Sequence, residues 1–287
     1  MASRRPTWAL LFGAALWGVV WYPYRLLAAS GLDGIWSTLL TYAVALAIGL
    51  ALFAREAAKL WPLPPLALVM GLAIGWSNLA YVVGVLQGEV MRVLLLFYLA
   101  PLWTVPLARL FLRERLDIAG GLIMALAFAG AIIMLWKPRL GAPWPESRAE
   151  WLGLVAGFLF ALGNVLIRRL ETMTDAGKSI VIWAGVALAA LVHLPMGSPA
   201  AAAWAAVATP QGWLVPAIGM VLVAMSLALQ YGLGRMPANR AIVILLFELV
   251  VAAIAAYFLA GERLRAQDTL GAAFIVAATL ATTVRRR

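Results

Sequence analysis

One block of this chain occurs twice, about half a length apart. Residues 81–117, YVVGVLQGEVMRVLLLFYLAPLWTVPLARLFLRERLD, return as residues 231–268, YGLGRMPANRAIVILLFELVVAAIAAYFLAGERLRAQD. A shift of 150 positions pairs Tyr81 with Tyr231 and Gly84 with Gly234. It also sets Val93, Leu95, Leu96, Phe97 and Leu99 on identical residues. After a slip of two residues, Arg113-Glu114-Arg115-Leu116 falls on Gly261-Glu262-Arg263-Leu264. A repeat of this length marks a duplicated half-protein, so each half must fold as the same kind of unit.

The medium follows from composition. Of 287 residues, 65% are apolar and 12% charged, about half the charged fraction of a soluble domain. That leaves too little polar surface to cover a water-soluble particle, so the chain reads as an all-α integral membrane protein. A span takes ~20 predominantly apolar residues. The apolar runs give ten transmembrane helices, at about 7–29, 35–54, 64–87, 89–111, 118–136, 151–170, 178–196, 212–234, 238–260 and 269–284. Residues 1–136 form a first five-helix repeat, 137–150 a polar connector, and 151–287 a second repeat. The Ala-rich connection 197–211 has room for a short interfacial helix. The first apolar run leads straight into further helices without a small-residue cleavage site, so it reads as a retained span.

The formal charge is +10, yet the basic residues sit at segment ends, the distribution of a topology signal and not of a nucleic-acid surface. One side collects Arg4, Arg5, Arg55, Lys59, Arg109, Arg113, Arg115, Arg168, Arg169, Lys178, Arg235, Arg240 and Arg285 to Arg287. The other collects Arg25, Arg92, Lys137, Arg139, Arg148, Arg263 and Arg265. The richer side is expected to be cytoplasmic, with both termini there. Five spans per half thread the second copy upside down, giving two inverted five-helix repeats around a central cavity. Trp8, Trp36, Trp61, Trp136, Trp144, Trp151, Trp204 and Trp213 fall at helix ends, where an aromatic belt belongs. Trp17, Trp76 and Trp103 fall near mid-span.

Polar groups at that depth are costly and face a cavity or the bundle interior. Glu248 is the acid deepest in a span, and its repeat partner is Tyr98. Trp17 with Trp21, Asn78 with Tyr81, and Ser226 with Gln230 lie one turn apart on shared faces. Asn164 falls one step past the position matching Gly18. The expected substrate-binding set is Trp17, Asn78, Tyr81, Tyr98, Trp103, Asn164, Ser226, Gln230 and Glu248. Pro101 and Pro106 interrupt the fourth helix and read as hinge positions. The second copy has no proline there, so the sequence predicts asymmetric gating, with Tyr81 and Tyr231 as gate elements. Arg25 and Asp33 flank the first turn as a surface pair. Arg113-Glu114-Arg115 and Glu262-Arg263 read as charges pinning helix junctions. His193 stands without other metal ligands near it, and no cysteine exists, so no metal site, disulfide or cofactor is expected. No phosphate loop, HExxH or GxSxG occurs, and enzyme activity is not expected.

The duplicated order of tyrosine and glycine, polar loop, apolar helix, ERL and a glycine-bearing last helix (Gly120-Gly121, Gly271) completes a pattern. With first helices reading ALWGVV and ALGNVL, the whole chain resembles the drug/metabolite transporter superfamily, specifically the ten-helix EamA-like proteins. The resemblance implies a secondary transporter of the bacterial inner membrane working by alternating access, for which a monomer suffices. The mid-span aromatics make bacterial exporters of aromatic and other apolar amino acids the nearest match. An efflux carrier for drugs or other metabolites, or a non-transporting receptor or scaffold, is the alternative. A phosphate-bearing substrate would want a mid-span Lys or Arg, which the spans lack. The four-helix small multidrug exporters carry an essential glutamate in their first helix, whereas that stretch here holds Trp17 and no acid.

Overall fold

The computed structural model describes residues 5–88, 90–136, 144–261 and 265–284. These residues are almost wholly helical: α1 (Arg5–Ala29), α2 (Gly34–Leu52), α3 (Ala54–Ala58), α4 (Pro65–Gln87), α5 (Val90–Phe97), α6 (Ala100–Leu112) and α7 (Ile118–Leu135) precede the connector. After it come α8 (Arg148–Arg169), α9 (Asp175–Val192), α10 (Ala200–Val207), α11 (Leu214–Leu233), α12 (Ala238–Leu245), α13 (Phe247–Ala260) and α14 (Ala266–Val284). Ten of the segments are long and apolar enough to cross a membrane, with α5–α6 and α12–α13 each counting as one. The chain is a multi-pass integral membrane protein. The remaining short helices are connections, α10 among them in the stretch between residues 197 and 211.

Local chemistry sets where the helices begin. Asp33 accepts the backbone N–H groups of Ile35 and Trp36, Asp117 that of Gly120, and Thr174 that of Gly177. Each satisfies donors that a helix start leaves open. Ser147 caps α8 through Glu150, so this helix begins at Arg148, inside what reads from sequence as connector. The Asp33 carboxylate does not pair with Arg25 as expected. Its second oxygen accepts the Ser198 N–H at 2.6 Å, tying the start of α2 to the turn before α10. Burial pushes this carboxyl up, but the hydrogen bonds from Ser198, Trp36 and Ile35 outweigh it and hold it below its ordinary value.

Two spans are broken at mid-depth. The fourth breaks between α5 and α6 at Tyr98 and Leu99, and the ninth at Leu246. This corrects two expectations. Pro106 lies inside α6 without interrupting it, and Pro101 sits in the first turn after the break, where its missing N–H does least harm. The ninth span breaks without any proline, so the feature belongs to both halves. What the breaks share is a neighbour: a Cβ on Gly157 would run into the Phe97 carbonyl, and one on Gly18 would come within 2.7 Å of the Glu248 carbonyl. Irregular backbone at this depth is tolerated where it faces protein or a cavity, and glycine lets α8 and α1 close over it.

The halves interlock. The third span, α4, packs on α8 and α9, and its counterpart α11 packs on α1 and α2. The span α5–α6 packs on α8 as α12–α13 packs on α1, while α2 meets α9 and α7 meets α14. Exchanging each span with the one five places later returns these same principal pairings. Small residues make the tight crossings, as membrane interiors require. Where α4 crosses α9, a Cβ on Gly75 would lie 2.6 Å from the Gly185 carbonyl carbon, and one on Gly185 2.5 Å from that of Gly71. Outward faces carry exposed Leu52, Leu110, Ile118, Leu122, Phe258 and Leu280, an apolar coat that only lipid would cover. Trp8, Trp61, Trp144, Trp204 and Trp213 are exposed at the ends.

Ion pairs fasten both ends. At what is called here the Arg92 end, Arg92 at the start of α5 meets Glu150 at 2.8 Å and the Trp144 carbonyl at 2.7 Å. At the opposite, Arg168 end, Glu114 accepts the Ala238 N–H at 2.9 Å and lies 3.9 Å from Arg168, whose other nitrogen donates to the Gly234 carbonyl at 2.5 Å. Burial outweighs those contacts and raises the Glu114 carboxyl above its ordinary value. Glu114 thus joins the ends of α6 and α8 to the start of α12. Glu262, Arg263, Lys137, Arg139, Arg4 and Arg285 to Arg287 lie outside the described residues.

Candidate functional site

A narrow cavity of about 120 Å³ lies between the halves. Eight of the nine residues expected to bind substrate line it: Trp17, Asn78, Tyr81, Tyr98, Asn164, Ser226, Gln230 and Glu248. They come from α1, α4, α8, α11 and the two broken spans. Trp103 does not line it. After the break, α6 turns this ring onto α8, where it stands edge-on to Phe158 at 5.7 Å between ring centres. Trp76 also points away, its ring 6.3 Å from that of His193. The His193 ring lies 3.0 Å from the Ala189 carbonyl.

The break geometry builds the polar centre. Tyr98 and Glu248, equivalent in the repeat, sit beside the two breaks and meet across the cavity, the Tyr98 hydroxyl donating to Glu248 Oε1. Glu248 is buried, and among the described residues no cation pairs with it. Around it, Asn164 Nδ2 and Gln230 Oε1 are buried without a hydrogen-bond partner. A buried amide left open in this way costs about 1–3 kcal/mol. The site therefore sets a free donor and a free acceptor beside a carboxyl, all unsatisfied or under-satisfied by protein. Asn78 Nδ2 lies 3.5 Å from the Tyr42 hydroxyl. Ser226 accepts from the fully buried Trp183 indole at 2.9 Å, which leaves its own hydrogen to point elsewhere.

The walls are aromatic. Tyr81 leans on Phe97 at 5.3 Å, and Phe97 contacts both Tyr98 at 5.2 Å and Phe160 at 5.3 Å. Sequence reading passed over Tyr42, Ser77, Phe97, Phe160 and Met225, all of which line the cavity. Thr38, Thr41 and Tyr42 recur at helical spacing on α2 and carried a usable signal for Tyr42. Phe97 served only as a repeat identity. Tyr231 lies outside the cavity, near the Arg168 end, with the Arg235 guanidinium 4.0 Å above its ring.

Ten apolar spans enclosing a cavity with aromatic walls and a polar centre define a multi-pass membrane protein built to hold a small molecule in the bilayer. Residues 147–284 match the EamA-like transporter family, which supports the superfamily expectation drawn from the sequence. The chain is also 26% identical over 203 residues to a protein of Archaeoglobus fulgidus described as an uncharacterized transporter, covering 70% of each. A solved crystal structure superposes with a TM-score of 0.77 at 20% identity, over 95% of each chain. At that identity the likeness speaks for the fold.

Proposed function

We propose that this protein is a secondary transporter that exports amino acids, aromatic and other apolar ones, across the bacterial inner membrane by alternating access. The observation that carries the proposal is the open hydrogen-bonding capacity around Glu248. A zwitterionic amino acid supplies an ammonium for Glu248 and Gln230 Oε1 and a carboxylate for Asn164 Nδ2. The rings of Trp17, Tyr81, Phe97 and Phe160 face the apolar side chain. At about 120 Å³ the cavity is smaller than the ~300–1,000 Å³ of an ordinary ligand pocket, so substrate entry requires the helices to part. The inverted threading of the halves, supported by their interchangeable packing, supplies a way for either mouth to do so. The excess of basic residues at the Arg168 end supports a cytoplasmic orientation for that face and for both termini. The residues expected at the gates keep that role in this reading: Tyr81 toward one mouth, Tyr231 toward the other, with the Pro101–Pro106 segment bending beside the break.

Proteoliposomes loaded with a panel of radiolabelled amino acids test the proposal. Saturable flux is expected, reduced by about tenfold or more in Glu248→Gln, the size of one lost charge-assisted hydrogen bond. Binding without flux would identify a receptor, and unchanged flux in Glu248→Gln, with and without a pH gradient, would remove that residue from the site. The predominance of aromatic and aliphatic walls favours one second reading, an efflux carrier for apolar drugs or other metabolites. Competition of such compounds against amino acid flux separates the two.

A further inference from the structure

A second pocket, of about 470 Å³, lies at the Arg168 end, lined among others by Arg168, Glu171, Asp175, Lys178, Gly234 and Arg235. It continues the line of the central cavity. Ile167, Ile182 and Leu233 line the cavity at that end, and Arg168, Lys178 and Gly234 lie one residue or one turn from them, on α8, on α9 and just past the end of α11. Ile167, Ile182 and Leu233 are buried and form an apolar floor between the two spaces.

Among the lining residues three bases, Arg168, Lys178 and Arg235, face two acids, Glu171 and Asp175. Asp175 is held by Arg235 at 2.8 Å, and Glu171 lies 3.4 Å from Arg168. Each acid of the lining thus has an arginine in contact, and the second oxygen of Asp175 faces the Gly234 wall beside Lys178, beyond ion-pair distance. The Lys178 side chain is among the largest fully enclosed ones, with the residue 2% exposed. Yet its ammonium donates no hydrogen bond to a described residue, and no carboxylate of a described residue comes within 4 Å of it. It lies against Gly234, 3.5 Å from where a Cβ would be, and so points at the pocket wall that Gly234 forms. Its nitrogen, at the pocket wall and without a contact partner among the described residues, is where an anion entering the pocket would gain most.

We propose that this pocket is an oxyanion-binding site, with Lys178 as its binding charge and Arg168 and Arg235 as its rim. It takes a single carboxylate or phosphate group, whether on a dissolved molecule or on the headgroup of an anionic lipid. Charge-assisted bonds to such a group supply what Lys178 lacks. The site stands on its own geometry and does not depend on what the central cavity carries.

Thermal unfolding and calorimetric titration of the full chain in uncharged detergent test this. Inorganic phosphate, acetate and phosphatidylglycerol are added separately, with sodium chloride matching ionic strength. A saturable rise in Tm with phosphate or acetate is expected for wild type and for Glu248→Gln, and assigns a dissolved oxyanion. A response to phosphatidylglycerol alone assigns a headgroup. Lys178→Met should lose the response, Arg235→Gln should weaken it roughly tenfold to a hundredfold, and anion-free Lys178→Met should melt at or above wild type, because it sheds a buried unpaired charge. Equal responses in wild type and Lys178→Met, or none in wild type, would overturn the site. So would a Lys178→Met protein that folds but melts well below wild type with its anion response intact, since that marks a structural lysine.

Discussion

Single residues show how the duplication has drifted toward different work. Tyr98 and Glu248 descend from one position of the repeat, and their divergence makes the donor and acceptor that meet across the cavity. Arg113 and Gly261 are a second such pair. Both end their helices in the left-handed region, with φ of 57° and 66°, where glycine rests easily and arginine is strained. Arg113→Gly should therefore stabilise the protein by about 0.5–1 kcal/mol, read as a raised Tm in detergent. Asp33 gives the acid limb. Its folded-state value is depressed, so it binds a proton less readily folded than unfolded. Its stabilisation is present above an unfolded value of about 4 and is lost as pH falls through the folded value. Asp33→Asn should lower Tm at neutral pH and flatten the decline of Tm with acid below about pH 4. Much of the site was legible at this scale, because a polar residue at mid-span announces itself by its cost. Its direction was not. Trp103 and Trp76 have the right depth, and only the turn of α6 after the break and the ring of His193 decide that they face elsewhere.

Elements were legible in proportion to their hydropathy. The ten spans follow from apolar runs that can do little else, and their starts from capping residues such as Asp33, Asp117 and Thr174. The break at Leu246 had no proline to mark it. It depends on a partner, the glycine face of α1, which becomes a neighbour only after folding. The same holds for the tight crossings. Gly185→Leu would drive a side chain into the α4 backbone at Gly71. Overpacking of this kind costs about 1–3 kcal/mol or more, so lower Tm and lower yield of monodisperse protein are expected. The same change at Gly121, where only the far end of Leu116 lies within 4 Å, should be tolerated, and the pair measures close approach against a general intolerance of bulk.

For the whole molecule, the proposed threading makes a direct prediction. The chain has no cysteine, so single cysteines report without background. Lys59→Cys, at the Arg168 end, should react with an impermeant maleimide only from the cytoplasmic face, and Gln211→Cys only from the opposite face. Labelling of both from one side would undo the orientation and with it the assignment of export. The pairing of the halves could be anticipated from the repeat, but the size of the cavity could not, because it is set by sub-ångström differences in how ten helices lean. The glycine seam of α4 and α9 then has a consequence for motion. With backbone lying on backbone where Gly71 and Gly75 meet Gly185, two rods from different halves are held like a single beam. In the alternating access proposed above, the halves would not part there like jaws, and whatever swings would turn about that beam as about an axle.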